Sequence, residues 1–245
     1  MQLNLPTPAR ALALAAHPDD VEFGAGGTFA KWAAHGCVIH HLICTDGSKG
    51  SWDPNEDVTK LVEQRQREQR AAARALGAGA ESEVVFLGWT DGELESGLEQ
   101  RREVARVIRE LRPVVVLGHD PWRRYRLHPD HRNAGLLAVE AIVAARDPHF
   151  YPDLELEHWR PSTLLLWEAD EVDHIEDVSA HVDAKLAALL AHETQLRSTM
   201  HIDVGSPEED EQRRHFERRV RDRLATFGRQ AGVAYGEGFK RIDEL

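Results

Sequence analysis

The chain has 245 residues, of which 42% are hydrophobic and 29% are charged, which suffices for one sizeable core and excludes disorder over most of its length. The formal net charge of −12 disfavours binding to nucleic-acid phosphates or to anionic lipid. Because no run of about 18 apolar residues occurs, no transmembrane helix is expected.

Strand-like and helix-like segments alternate along the chain. Short apolar runs predict strands at residues 11–16, 38–44, 84–87, 114–117 and 163–167. Longer segments predict helices at residues 29–34, 58–76, 98–111, 133–145, 182–195 and 208–230. This alternation is typical of an α/β fold, in which helices cover both faces of a mostly parallel sheet. We expect residues 1–245 to form a single domain, with a charged helical segment at about 205–232.

Polar residues follow several of the predicted strands. They are residues 17–20, Asp46, Asp91 and the stretch 119–131. In open parallel sheets, ligands bind beyond the carboxyl ends of the strands. These residues are therefore expected to gather at one edge of the sheet, where His119 would lie close to the others.

Two tetrapeptides at that edge share a histidine, a proline and an aspartate. The first is His17-Pro18-Asp19-Asp20, and the second is His128-Pro129-Asp130-His131. Either one alone would be read as a turn or a helix cap. Two of them, each after a predicted strand, favour a metal site.

The side chains of these tetrapeptides can supply both ligands and catalytic groups. A catalytic zinc takes three protein ligands with N or O donors and leaves the fourth position to water. His17, Asp20 and His131 form such a set. Asp19 and His128 remain, and metal-assisted hydrolysis needs a base for the water and a group that stabilises the oxyanion.

A longer series of motifs extends this pattern over roughly residues 10–200. It comprises residues 16–22 with Gly26-Gly27-Thr28, Cys44-Thr45-Asp46-Gly47, Arg65-x-x-Glu68, Phe86-Leu87-Gly88, Asp91-Gly92, residues 128–132, Asp177-Val178, Lys185 and His192-x-x-Gln195. In this order the motifs resemble those of the LmbE-like family, also called the PIG-L or N-acetylglucosaminyl-phosphatidylinositol de-N-acetylase family.

The resemblance implies a Rossmann-like fold, a divalent metal that is usually zinc, and hydrolysis of N-acyl groups on amino sugars. By position, His17, Asp20 and His131 correspond to the metal ligands. Asp19 corresponds to the general base, and His128 to the group that steadies the oxyanion and can protonate the leaving amine.

The resemblance also suggests supporting residues. Asp130 corresponds to a carboxylate that orients a metal-binding histidine. Arg65 and Asp46 are candidates for contact with the substrate or with the ligands, although Arg65 fits equally well as a surface residue paired with Glu68 or Gln69.

The loop before the second tetrapeptide departs from the family pattern. Some relatives place a tyrosine there, and Tyr125 either takes that role or none. Arg126 belongs to the basic loop 122–126. This loop would suit a phosphate or carboxylate of the substrate, or it forms a solvated rim of the site.

Together these features predict a zinc-dependent N-deacetylase of an N-acetylglucosamine-type sugar conjugate, with another divalent metal left open. Its partner would be a small N-acylated amino sugar, and binding to nucleic acid or to a membrane is not expected. Members of the family often form homo-oligomers, so a homo-oligomer is possible. Alternatives are an amidase for a larger sugar or thiol conjugate and a binding module with a vestigial site. A dinucleotide-binding protein is also conceivable from Gly24-x-Gly26 and Asp46, but Phe29 stands where a third glycine is needed.

The location is expected to be cytoplasmic. The first residues lack the basic and apolar regions of a signal peptide. Cys37 and Cys44 flank a predicted strand, which holds them too far apart for a disulfide. Two free, buried thiols are typical of a reducing compartment.

Overall fold

The computed structural model describes residues 1–245. Eight strands, β1–β8, span Gln2–Leu3, Arg10–Ala15, Val38–Thr45, Val84–Trp89, Val115–His119, Thr163–Trp167, His174–Asp177 and Gly236–Asp243. Six α-helices, α1–α6, span Asp20–Ala34, Val58–Ala75, Leu98–Leu111, Pro129–Arg146, Val182–Leu190 and Glu209–Ala231. Two short 3₁₀ helices cover Pro152–Leu154 and Glu193–Gln195.

All strands belong to one sheet, in the order β1-β7-β8-β6-β5-β2-β3-β4. Strand β8 runs antiparallel to its neighbours β6 and β7, and the other pairs are parallel. The predicted mostly parallel α/β fold is therefore confirmed. No helix is both long enough and apolar enough to cross a bilayer.

Two hydrophobic cores lie on opposite faces of the sheet. Because side chains alternate along a strand, Leu12 and Leu14 of β2 pack in the core that α3 and α4 cover. Ala11 and Ala13 belong to the other core, together with residues of α1. Burial on both faces explains why the central strands read as continuous apolar runs.

Helix α1 begins at Asp20, nine residues before the predicted start. The prediction missed this because Gly24 and Gly27 read as a loop. Both glycines lie inside the helix, where a Cβ would approach the Trp167 ring to 2.5 Å at Gly24 and Val178 Cβ to 2.8 Å at Gly27. They allow close packing and form no phosphate-binding turn, which removes the main support for the dinucleotide alternative.

The last part of the chain also differs from the prediction. The helix predicted over residues 182–195 ends at Leu190 and is followed by a short 3₁₀ helix. Strands β1, β7 and β8 were not predicted. Helix α6 agrees with the predicted charged segment, and its apolar stripe, Phe216, Val220 and Leu224, packs in a third core with residues of α5.

Candidate functional site

The first tetrapeptide forms the junction between β2 and α1. Asp19 has a left-handed backbone, with φ 100° and ψ −25°, which is uncommon for a residue with a Cβ. Two side chains of α2 hold this junction. Gln69 Oε1 accepts the backbone N–H of Asp19 at 2.9 Å, and Arg65 Nη2 donates to the carbonyl of Pro18 at 2.7 Å. The surrounding packing therefore fixes a conformation that the local sequence disfavours.

The second tetrapeptide begins α4. Pro129 is the first helical residue, a position that suits proline because its missing N–H has no helical partner there. Asp130 is fully buried and accepts the N–H of Gly92 at 2.7 Å. The same carboxylate oxygen lies 3.1 Å from His17 Nε2. Asp130 thus links the loop after β4 to the first tetrapeptide.

His17, Asp20 and His131 converge at the mouth of the sheet. His17 Nδ1 lies 3.4 Å from Asp20 Oδ2, and His131 Nε2 lies 3.3 Å from Asp20 Oδ1. One donor atom from each of the three residues lies within 4.8 Å of the others. Two imidazoles and one carboxylate are a donor set that zinc accepts.

Two other donor groups lie nearby, His17 with His128 and Asp130, and His119 with His131 and Glu168. Their carboxylates are engaged elsewhere. Asp130 is bonded to His17 and to backbone N–H groups, and Glu168 accepts Arg126 Nη1 at 2.9 Å. Asp20 is also engaged, since its Oδ2 accepts the backbone N–H of His17 at 2.8 Å, but its Oδ1 faces His131 Nε2 at 3.3 Å and makes no hydrogen bond. The set built on Asp20 therefore keeps a carboxylate oxygen that can bind a metal.

The pKa shifts of Asp20 and His131 favour the deprotonated side chains, which are the forms that bind a metal. Burial raises the pKa of Asp20, but the charges of His131 and His119 outweigh that effect and hold the pKa well below its ordinary value. Burial lowers the pKa of His131 to about 4. For His17, burial lowers the pKa, but hydrogen bonds to Asp130, Asp20 and Asp91 raise it well above its usual value. A metal would have to displace a proton from His17.

Asp19 and His128 flank the donor set. Burial raises the pKa of Asp19 to about 6, although the charge of Arg65 lowers it. The ring centroid of His128 lies 4.6 Å from that of His17 and 4.8 Å from that of His131, and His128 is exposed. Partial burial of its ring against these neighbours, together with the charge of His17, lowers the pKa of His128. One carboxylate and one imidazole therefore line the cleft beside the donors.

Arg65 and Asp46 hold loops together at this edge. Arg65 is only 3% exposed, and its Nη1 donates to the carbonyl of Gly47 at 2.8 Å. The interpretation as a surface arginine is therefore wrong. Asp46 Oδ1 accepts the N–H groups of Ser48 at 2.9 Å and of Asp91 at 3.1 Å, so it joins the loops that follow β3 and β4.

The arginines of the basic loop are paired with acidic residues. Arg123 lies 3.4 Å from Glu168, Arg124 lies 3.4 Å from Asp170, and Arg126 also pairs with Glu168. This pairing favours the rim interpretation over a phosphate site. Tyr125 is 93% exposed, and its side chain makes none of the hydrogen bonds of the site.

Three further residues contact the site. Asp91 Oδ1 lies 3.2 Å from His17 Nε2, and its place after β4 had indicated that it would reach this edge. His119 Nε2 lies 3.2 Å from Asp20 Oδ2, as its position at the end of β5 suggested. Gln69 is the residue that sequence reasoning missed as part of the site, since nothing in its helical segment distinguishes it from its polar neighbours.

Gln69 belongs to a buried polar chain behind the site. Its Nε2 donates to Glu22 Oε1 at 2.8 Å, and Glu22 Oε2 lies 3.2 Å from His192 Nε2. Glu22 and His192 were part of the family-like motifs, so the sequence did contain a signal for two of the three members.

A cleft of about 530 Å³ opens above the donor set. Asp19, Asp20, His128 and His131 line its floor together with Arg65. This volume lies within the range of small-molecule sites, although its lining is far more polar than is usual, which suits a hydrophilic ligand.

Comparison with known proteins gives consistent results. The family model "PIG-L: GlcNAc-PI de-N-acetylase" matches residues 12–142. A diacetylchitobiose deacetylase from Thermococcus kodakarensis is 31% identical, over 95% of this chain and 83% of that protein. A 1D-myo-inositol 2-acetamido-2-deoxy-alpha-D-glucopyranoside deacetylase from Segniliparus rotundus is 32% identical, over 76% of this chain and 77% of that protein.

Solved structures show the same similarity. The N,N'-diacetylchitobiose deacetylase from Pyrococcus horikoshii, in complex with its inhibitor MPG, superposes with a TM-score of 0.84 at 29% identity. The match covers 96% of this chain and 84% of that one. The whole sheet, including the strands that the sequence did not predict, therefore belongs to a known architecture.

Proposed function

The chain belongs to the GlcNAc-PI de-N-acetylase (PIG-L) family, and on that basis we propose that it is a zinc-dependent N-deacetylase acting on an N-acetylglucosamine-type sugar conjugate. The observation that carries the proposal is the convergence of His17, Asp20 and His131 in a polar cleft. The printed names of two relatives, a diacetylchitobiose deacetylase and a deacetylase of a 2-acetamido-glucopyranoside, support the substrate class.

The donor set fits a catalytic zinc. His17, Asp20 and His131 would hold the ion through two nitrogens and one oxygen, leaving a position for solvent or substrate. Asp130 contacts His17 Nε2 at 3.1 Å and so fixes the orientation of the His17 ring. In this orientation Nδ1 of the ring faces Asp20. When bound, zinc would polarise the acyl carbonyl and make a water molecule more acidic.

Asp19 is proposed as the general base. It lies next to the ligand Asp20 and lines the same cleft, and its pKa of about 6 leaves it ionised at neutral pH. A carboxylate with a pKa close to the working pH can take a proton from the attacking water and release it again. Arg65 Nη2, 3.6 Å from Asp19 Oδ2, keeps the carboxylate in place.

His128 is proposed to act on the other side of the amide. Its exposed ring packs close to both metal-binding histidines, so it can donate a hydrogen bond to the oxygen of the tetrahedral intermediate. The departing amine needs a proton, and the proton that Asp19 takes from the water can supply it, either directly or relayed through the His128 ring, so that the amino sugar and acetate leave as products. Tyr125 and Arg126 have no step in this proposal.

The proposal also covers the cellular location, the substrate and the assembly of the enzyme. Cys37 and Cys44 are both free and buried, which supports a cytoplasmic enzyme. Its partner is a small N-acylated amino sugar, and assembly with further copies of the chain is left as a family-based expectation. An amidase for a larger sugar or thiol conjugate would use the same residues on a larger substrate.

The experiment is direct. The purified chain, loaded with zinc, is incubated with N,N'-diacetylchitobiose and with N-acetylglucosamine, and the released acetate and free amine are measured. We expect equal amounts of both products, and we expect removal of zinc with a chelator to abolish the reaction. Failure to release acetate from any N-acetylated sugar by a zinc-loaded, folded chain would contradict the proposal.

A further inference from the structure

Trp52 occupies an unusual place beside the cleft. It lies in the loop between β3 and α2, and it lines both the cleft above the donor set and a second groove next to it. It is 86% exposed, although an indole gains much by burial. The other apolar side chain of the cleft, Phe23, packs against Phe216 with a centroid distance of 6.4 Å. Trp52 is thus the aromatic surface that remains open to a ligand.

The second groove is polar apart from Trp52. Its volume is about 730 Å³, and carboxylates, hydroxyls and an imidazole line it beside the indole. These groups belong to Asp53, Glu56, Thr194, Ser198 and His201. Pyranose and polyol rings present an apolar C–H face and a rim of hydroxyl groups. A flat aromatic face next to hydrogen-bonding groups is complementary to such a ring.

The loop that carries Trp52 is held in place on both sides. The carbonyl of Gly50 accepts hydrogen bonds from Gln195 Nε2 at 3.2 Å and from Ser198 Oγ at 3.3 Å. Ser51 Oγ donates to Glu56 Oε2 at 3.1 Å. A Cβ at position 50 would clash with Arg65 Nη1, so the loop also packs against the arginine that supports Asp19.

The groove adjoins the cleft. Ser198, like Trp52, lines both, so a ligand with two rings can lie across the boundary. Because the anchored loop loses little freedom when a ligand binds, contact with the indole adds to affinity.

We infer that Trp52 forms a second subsite, in which its indole stacks on a pyranose or polyol ring joined to the N-acetylated amino sugar. This inference rests on the proposed function, which places the amino sugar in the cleft. The consequence is a preference for substrates with two rings over free N-acetylglucosamine.

The test compares wild type, Trp52→Ala and Trp52→Phe on N,N'-diacetylchitobiose and on N-acetylglucosamine. Aromatic stacking is worth enough to raise the KM for the disaccharide roughly 3- to 10-fold in Trp52→Ala. We expect KM for the monosaccharide to rise much less than KM for the disaccharide, and Trp52→Phe to keep most of the disaccharide affinity.

Trp122→Ala is the matched control. Trp122 is 60% exposed and lines a different groove, with Asp120, Arg124 and Asp170. We expect this variant to behave like wild type on both substrates. An equal loss on both substrates in Trp52→Ala, or no loss on either, would overturn the subsite.

A binding measurement separates this inference from the proposed function. Chitobiose, the disaccharide without acetyl groups, is titrated into zinc-loaded wild type and Trp52→Ala by calorimetry. Weaker binding by the variant supports the subsite even in a chain that releases no acetate, and that combination would count against the proposed function alone. Equal affinity of the two proteins, or no binding by either, would overturn the subsite.

Discussion

Asp19 combines two properties that the site needs. Its backbone is left-handed and is fixed by hydrogen bonds from Gln69 and Arg65, and its carboxyl lines the cleft next to Asp20, the proposed ligand. The family resemblance suggested Asp19 as the base, and its position beside Asp20 in the cleft is compatible with that prediction. The sequence could not predict how the residue is held, because that depends on which face of α2 packs against the β2–α1 junction.

Asp19→Asn tests the role of the base. Asparagine also tolerates a left-handed backbone, so the fold should be retained. Because the amide cannot take a proton, we expect kcat to fall by at least about 100-fold, while zinc content stays at the wild-type level. Acetate release and metal analysis are measured on the same sample. A fully active variant would show that another group is the base.

At the scale of elements, helix α1 and strand β8 explain most of the difference between the predicted and the observed fold. The first turns of α1 were not predicted because they contain glycines. These glycines let the helix pack closely against β6 and against the segment after β7. Strand β8 carries Glu237, which is buried and accepts Lys185 Nζ at 2.6 Å and Thr28 Oγ1 at 2.6 Å. A buried charge satisfied by distant partners leaves no local pattern, whereas the central strands, buried on both faces, were recognisable from their composition.

Gly24→Ala tests the packing of α1. The added methyl would lie 2.5 Å from the ring of Trp167, which is buried in the core. Overpacking of this kind should lower the free energy of unfolding by about 1–3 kcal/mol, measured by urea denaturation. Gly79→Ala is the control, because no atom lies within 4 Å of its added Cβ. Equal stability of Gly24→Ala and wild type would contradict the described contact.

At the scale of the whole molecule, the sheet edge was the most predictable feature. Parallel strands place their carboxyl ends together, and the residues after β2, β3 and β4 do meet there, as the contacts of His17, Asp46 and Asp91 show. The pairing of loop arginines with acidic residues was not predictable. It depends on Glu168 and Asp170, which follow β6 and are far away in sequence.

The stability of the molecule should depend on pH through a histidine away from the site. Burial lowers the pKa of His40 to about 4, below the value of 6.5 expected in the unfolded chain. The unfolded state therefore binds more protons as the pH falls from 6.5 towards 4, and wild type loses stability by about 1.4 kcal/mol per pH unit from this group.

Replacement of His40 by glutamine should reduce that dependence. The free energy of unfolding is measured for both proteins at pH 7 and at pH 5. We expect the difference between the two pH values to be smaller in His40→Gln by about 2 kcal/mol. An unchanged pH dependence would show that His40 titrates normally in the folded chain.

The central claim is that His17, Asp20 and His131 hold one metal ion. The most direct measurement is the metal content of purified wild type and of His131→Ala after exposure to zinc and removal of the excess. We expect about one zinc per chain in wild type and a large loss in the variant, with Trp122→Ala retaining the wild-type content. Full occupancy in His131→Ala, or a wild type that takes up no metal, would contradict the claim.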